Sequence, residues 1–270
     1  MPKVLSVVKI ENSKAYDITV PGPHSYFAGP KNNQVLVHNC RHWIIDKLLG
    51  PTIHECLVDK LVPRIEITRT AFSGPIPKTW VYMVNKLEND PKRLLLIART
   101  AIADVKAGHL VLIPFSRVNV IKALTRAINI EANQNIAESF YGGQPMSMRK
   151  DIIDKARNYV IKILVGNIRL LSTGINIPRA SCLFECTPSS NGPQAEQRFS
   201  RVLTPMPGKP QPLIRYFADD FSLRKNCISS EFFTVLWPMF RPQMSPAVKE
   251  DFFSYMKKNS KGKEVLGGVI

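Results

Sequence analysis

The chain has 270 residues, 44% of them hydrophobic, which is enough to bury one large core or two smaller ones. Its 37 Lys and Arg against 21 Asp and Glu give a formal net charge of +16. The positive residues are spread along the chain and favour polyanions, nucleic acid first and an anionic membrane surface second. No apolar run reaches transmembrane length, the N-terminus lacks the apolar core of a secretion signal, and five cysteines without a paired CxxC set argue against a disulfide framework and structural zinc. A soluble cytoplasmic protein that needs no membrane partner is the expectation.

In chain order, residues 4–39 read as all-β: VLSVVKI and AYDITV are short runs rich in Val and Ile, PGP is a turn, and VLV is a further short strand. Residues 41–93 are less regular and are broken by Pro51, Pro63, Pro75 and Pro77. From about Leu94 strands alternate with helices. The strand candidates are HLVLIP (109–114), NIAESFYG (135–142), VIKILVG (160–166), SCLFEC (181–186) and LIRYFA (213–218). Helical period shows in Val120, Ile121, Leu124, Ala127 and Ile128, and again in Ile152, Ile153, Ala156, Tyr159 and Val160. This alternation predicts βαβ crossovers and a mainly parallel sheet. TPMPGKPQP (204–212) reads as a proline-rich loop. The resulting division is a β fragment at 1–39, a connecting segment at 40–93, an α/β domain at 94–222 and a C-terminal extension at 223–270.

The stretch VLVHNC (35–40) holds an imidazole, a side-chain amide and a thiol on consecutive residues. The Asn39 side-chain nitrogen can attack its own carbonyl, close a succinimide and expel the amine of Cys40. Holding an intramolecular attack in a reactive conformer is worth roughly 7–11 kcal/mol. His38 adjoins the bond and His24 stands on the preceding segment, and a positioned imidazole gives about 10²–10⁴-fold. The Cys40 thiol can accept an acyl group as a thioester. The longer stretch AYDITVPGPHSYFAGPKNNQVLVHNC closely resembles the C-terminal splicing motifs of inteins over about Val4 to Cys40. The resemblance implies that Asn39 cyclises, His38 and His24 assist, Asp17 tunes the attacking thiol, and Cys40 receives the upstream protein. GPKNNQ departs from the family pattern and lengthens a hairpin. No first nucleophile and no Thr/His motif precede Val4, so the fragment resembles the C-terminal half of a split intein. Its partner would be an N-terminal intein half on another chain, and splicing itself would need no cofactor.

Beyond Cys40, four stretches come in an informative order. They are LVLIPFSRVNVIKAL, SFYGGQPMSMRKDIIDKARN, ILVGNIRLLSTGINIPRASCLFE and QAEQRFSRVLTPMPGK. In order and spacing they resemble the second RecA-like lobe of superfamily-two (DEAD/DEAH-like) helicases. The expected fold class is therefore α/β, a RecA-like parallel-sheet lobe preceded by a small all-β intein fragment. A short hydroxyl beside a glycine lets backbone N–H groups approach a phosphate. Ser172, Thr173 and Gly174, with Arg117, are the nucleic-acid residues that the resemblance implies. Gln197, Arg198 and Arg201 fall on the family's arginine motif, where a guanidinium reaching a nucleotide is worth about 10³–10⁵ in related NTPases. Ser200 stands where the family has Gly, and Thr204 where it has a last Arg.

The chain has no GxxxxGK[ST] loop and no Asp-Glu box, so ATP and Mg²⁺ would be held mainly by a first lobe on the upstream chain. CRHW can complete an Asp-Glu-Cys-His-like box. Alternatively, CRHWIIDKLLGPTIHECLVDKLVPRIEI resembles the family's segment just after its later Ser/Thr-Ala-Thr motif, which is the preferred joint. The leading expectation is trans-splicing that yields an ATP-dependent DNA or RNA helicase or translocase in a cytoplasm, that of the host if the source is viral. The alternatives are a nucleic-acid-binding lobe without ATPase activity and a remnant that only cleaves after Asn39. Cys182 and Cys186 share a strand face and read as core rather than metal ligands, and His42, His54 and His109 lack ligand-spaced partners. Phe232, Phe233, Trp237 and Phe240 read as packing anchors, and KKNSKGK (257–263) as a solvated basic tail.

Overall fold

The computed structural model describes residues 60–70, 79–173, 175–187, 192–220 and 222–257, together with the backbone of 25–28 and 35–38. The chain divides into two units, Met1–Val58 and Asp59–Ile270. In the first, β1 (Ser25–Ala28) and β2 (Val35–His38) form an antiparallel hairpin in which Ser25 faces His38 and Ala28 faces Val35. β2 is the VLV run with His38 at its end. The runs VLSVVKI and AYDITV, and Asp17, His24, Asn39 and Cys40, lie outside the described residues.

The second unit is built on a six-stranded sheet. Its strands are β3 (Arg64–Arg69), β4 (Leu110–Phe115), β5 (Ala137–Phe140), β6 (Ile163–Asn167), β7 (Ala180–Glu185) and β8 (Leu213–Ala218). They lie in the order β3-β8-β7-β4-β6-β5 and every pairing is parallel. This is the α/β class with a parallel sheet expected from the strand–helix alternation. Helices cover both faces of the sheet, which is why β4 and β7 are buried at every position. The period of two sorts their side chains. Leu110 and Leu112 enter one core with Leu164, Ile214 and Tyr216, whereas Val111, Ile113 and Phe115 enter the other with Val165, Phe184 and Phe217.

Two helices seal the second of these cores. In α2 (Pro91–Lys106), Ile97, Ala98 and Ala101 face inward. In α3 (Val118–Ala132), Val120, Ile121, Leu124 and Ile128 do so, as their spacing predicts. α2 starts where Asp90 accepts bonds from the N–H groups of Lys92 and Arg93 (3.0 and 3.1 Å) and proline occupies the first turn. The opposite core is covered by α4 (Met146–Arg157) and α6 (Gly192–Val202), with Phe199 buried between α6 and the C-terminal helices. Tyr159, at φ +59°, ends the helical turn after α4. Val160, counted in both a helix and a strand from its period, belongs to neither and is exposed.

Two segments do more than the sequence suggested. The stretch 40–93, read as a connection, supplies β3 to the sheet and α1 (Trp80–Asn89) to its carboxyl edge. The stretch 223–270, read as an extension, completes the core: Phe232, Leu236, Phe240, Phe252 and Tyr255 are all buried, and Phe233 and Trp237 pack against them. The helix α7 (Ser222–Glu231) runs through a π-helical turn (Phe232–Leu236) into α8 (Trp237–Phe240). Pro238 lacks an N–H and crowds the carbonyl four residues back, so the backbone widens and the Trp237 N–H bonds to the Phe232 carbonyl instead. The last described helix is α9 (Pro246–Lys257), whose Phe252 ring lies 4.5 Å from that of Phe232.

The outer edge of β3 is paired at its start and that of β5 along its length. Along β3, Ile65 donates to the Gln243 carbonyl and Gln243 donates to the Pro63 carbonyl, each at 2.8 Å. Along β5 two side-chain amides act as peptide groups. Asn129 bonds the Ala137 N–H and carbonyl (2.9 and 3.0 Å), while Gln144 bonds the Ser139 carbonyl and the Tyr141 N–H (2.9 and 2.8 Å). An edge so capped cannot template another strand.

Candidate nucleotide-coupling site

The arginine motif sits on α6, and its two arginines go to different places. The Arg198 side chain is fully buried. It forms a fork on Glu185 at the end of β7 (3.0 and 3.2 Å) and donates to Glu231 at the end of α7 (2.9 Å). Burial opposes its charge, but Glu185 and Glu231 hold its pKa above the usual arginine range. The expectation that Arg198 reaches a nucleotide does not fit this placement. Its guanidinium is committed to two interior carboxylates, and what it positions is the helix.

The same interior holds two further arginines. Arg224 is fully buried, donates to the Glu185 and Phe217 carbonyls, and stands 3.7 Å from Asp219. Arg93 forks onto Asp219 (2.9 and 3.3 Å) and donates to the Cys186 carbonyl. Thr70 also donates to the Asp219 carboxylate. Burial, reinforced by the Glu185 charge, pushes the Glu231 carboxyl up to about 8, with Arg198 opposing. Cys186 is buried beside this network and Cys182 beside Asp104; burial raises both thiols and both lie in the core, as read from their spacing.

Arg201 is one turn further along α6 and is half-buried. Its Nε and Nη2 both donate to the Ser172 carbonyl (2.9 and 2.6 Å), and its Nη1 donates to the Ile175 carbonyl (2.7 Å). Ser172 lies in α5 (Ile168–Thr173), so the guanidinium caps the carbonyl end of that short helix, where backbone acceptors have no partner of their own. Gly166 allows α5 to fold back this closely, since a Cβ there would stand 3.0 Å from Leu171 and from the Phe140 carbonyl. The Thr-Gly and arginine motifs, about thirty positions apart, thus meet in three hydrogen bonds. Among the described residues Arg201 has no carboxylate partner, and burial lowers its pKa. The Ser172 hydroxyl, expected to approach a phosphate, is buried and donates to the Ile168 carbonyl (2.6 Å). Gly174 and the Thr173 side chain lie outside the described residues, and Gln197 is half-buried on α6.

Arg117 belongs to a separate cluster at the carboxyl end of β4. It precedes α3, donates to Asn85 and lies 3.9 Å from Glu88. Glu88 is fully buried in α1 and accepts from the Ser116 N–H and hydroxyl (3.0 and 2.7 Å) and from the Thr187 hydroxyl (3.1 Å). Asn167, at the end of β6, reaches the Ser116 carbonyl. Glu88 therefore sets the loop that presents Arg117. Ser200 accepts a bond from Lys60 (3.1 Å), and Lys60 also lies over the Phe240 ring. Thr204 is exposed, and its carbonyl accepts from Lys209 (2.8 Å), an amine that burial lowers to about 8. Glu88, Arg93, Asp219, Arg224 and Glu231 escaped the sequence reading, because partners such as Arg93 and Asp219 lie 126 positions apart and leave no local signal.

Residues 92–204 match the family model for the helicase conserved C-terminal domain. A sequence search of curated proteins returned no match. Among solved structures, T4 UvsW is 20% identical, with 60% of this chain and 34% of that chain covered and a TM-score of 0.47. The C-terminal domain of the DEAD-box protein Dbp5 is 15% identical, with 63% of this chain and 93% of that chain covered and a TM-score of 0.45. An S. cerevisiae Dbp5 variant bound to RNA and ADP BeF3 is 13% identical, with 72% and 45% covered and a TM-score of 0.45. The chain spans about a third of the T4 UvsW chain, 34%.

Proposed function

We propose that residues 40–270 are the C-terminal part of a nucleic-acid-dependent ATPase of the helicase type, completed when the fragment before Cys40 splices it to an upstream chain. Arg201 carries the ATPase half of this reading. It is a half-buried guanidinium with no acidic partner among the described residues, held only by the carbonyls of the Thr-Gly segment. Such a group fits an incoming phosphoryl, whose charge is worth far more to it than two backbone acceptors. ATP with Mg²⁺, held by the upstream lobe, supplies the phosphoryl to be transferred. Among the described residues no group of three or more His, Cys, Asp or Glu side chains is arranged to hold a metal, and the reading places the ion on the upstream chain. Movement of Arg201 toward the nucleotide frees the Ser172 and Ile175 carbonyls, which links hydrolysis to the segment assigned to nucleic acid. Thr173, Gly174 and Arg117 are the contacts assigned to DNA or RNA.

The splicing half rests on the order and spacing of the motif through Cys40, and the hairpin that ends at the Ser25–His38 pair is compatible with it. The upstream acyl group arrives on the Cys40 thiol as a thioester. The Asn39 side-chain nitrogen then attacks the Asn39 carbonyl and the Cys40 amine departs with a proton from His38 or His24. That amine attacks the thioester, forms the peptide bond and frees the thiol. Mixing the chain with a matching N-terminal half gives a ligated protein whose mass excludes residues 1–39, and Asn39→Ala abolishes it. Release of a protein starting at Cys40 without ligation identifies a cleaving remnant instead. A lobe that binds nucleic acid without turnover is favoured by one observation: Thr204 brings no guanidinium to its position, and the cation touching it is Lys209.

A further inference from the structure

Along α3 a groove of about 690 Å³ runs past Lys122 and Arg126 to the exposed amides of Asn133, Gln134 and Asn135. Lys122 and Arg126 are one helical turn apart and share a face. No carboxylate lines this groove, and among the described residues neither cation has an ion pair. Other exposed cations do: Arg99 pairs with Glu131 at 2.8 Å, and on the opposite face of the sheet Lys155 pairs with Asp151 and Arg157 with Asp154. The groove floor is fixed, because Asn129 is bound to Ala137 and the Ser139 hydroxyl donates to Thr125 (2.8 Å). The carbonyl end of α3 is capped by the N–H groups of Asn133 and Gln134, which removes acceptors that would repel an anion. At the upper end the Lys122 ammonium lies 5.1 Å from the centre of the Tyr141 ring. Lys122 is also little more than a helical turn from Arg117.

We infer that this groove is a second nucleic-acid contact, taking a single strand that runs on past Arg117 along α3. Lys122 and Arg126 neutralise two phosphates, and the three amides meet base edges without preference for one sequence. An acidic peptide would also satisfy the two cations, but a row of cations running on from Arg117 matches the regular phosphate spacing of a strand. The inference rests on the nucleic-acid-binding reading above.

Binding of fluorescent single-stranded DNA to the full chain by anisotropy, over a salt series, tests it. The Lys122→Glu/Arg126→Glu variant binds an oligonucleotide of about 20 nucleotides at least about tenfold more weakly at low salt, while affinity for one of about 6 nucleotides is unchanged. The milder Lys122→Ala/Arg126→Ala variant lowers the salt slope by about 1.4, the share of two phosphates on a single strand. Both side chains are exposed, and an unchanged melting temperature shows that the fold is kept. Equal affinity and equal slope for wild type and variants overturn the groove while leaving the nucleic-acid reading intact. No binding by the wild type overturns both. Displacement by polyglutamate of a probe that DNA does not displace assigns the groove to a protein and also overturns the inference.

Discussion

Replacing Arg201 by alanine in the ligated protein lowers nucleic-acid-stimulated ATP hydrolysis by about 10³-fold, the lower end of what a guanidinium on a transferred phosphoryl contributes. Two roles are removed at once, because the side chain also holds the Ser172 and Ile175 carbonyls. The conservative variant separates them. Arg201→Lys keeps a charge but loses the planar fork, so it recovers part of the turnover while serving the two carbonyls poorly. A purely structural Arg201 gives the opposite pattern: both variants lose thermal stability and neither changes turnover per folded molecule. Unchanged hydrolysis in Arg201→Ala removes Arg201 from the phosphoryl.

The largest stability effect belongs to Arg198. Arg198→Ala leaves Glu185 and Glu231 buried without their shared cation and costs about 3–5 kcal/mol in denaturant unfolding. Replacing Arg198, Glu185 and Glu231 together by apolar residues of similar volume recovers most of this loss, since the network's main cost is the desolvation of its charges. Glu231 makes the network sensitive to pH. Its folded pKa of about 8 lies above the usual glutamate value, so its contribution is complete below about pH 4.5 and is lost as pH rises through 8. Glu231→Gln removes that slope between pH 5 and 9. A wild-type protein whose stability rises over this range contradicts the assignment.

The strands of the sheet were legible because interior parallel strands are unbroken apolar runs, and HLVLIP, SCLFEC and LIRYFA need no context to stand out. β3 was not. RIEITR mixes charge with apolar residues because it is an edge strand, and the prolines around it resembled a linker. α2 carries both an Asp-Pro start and apolar residues at helical spacing (Leu94, Ile97, Ala98, Ala101 and Val105), but the unbroken run at 94–98 masks that period. For the site, order and spacing singled out two stretches that the fold brings together through Arg201 and the Ser172 and Ile175 carbonyls. Nothing local separates the two arginines. Arg198 and Arg201 are three positions apart on one helix, and only tertiary packing sends one into the core and the other to two backbone carbonyls. The stretch through Cys40 resembles an intein motif in sequence alone, since Asp17, His24, Asn39 and Cys40 lie outside the described residues.

On the proposed reading, one ATPase is divided between two chains and restored at Cys40. This division is tested most directly by ATP turnover with single-stranded nucleic acid, measured for this chain alone, for the upstream chain alone, and for the purified ligated product. Turnover confined to the ligated product, and stimulated by the nucleic acid, is the predicted result. A ligated product that binds nucleic acid yet hydrolyses no ATP would contradict it, as would turnover by either chain before ligation.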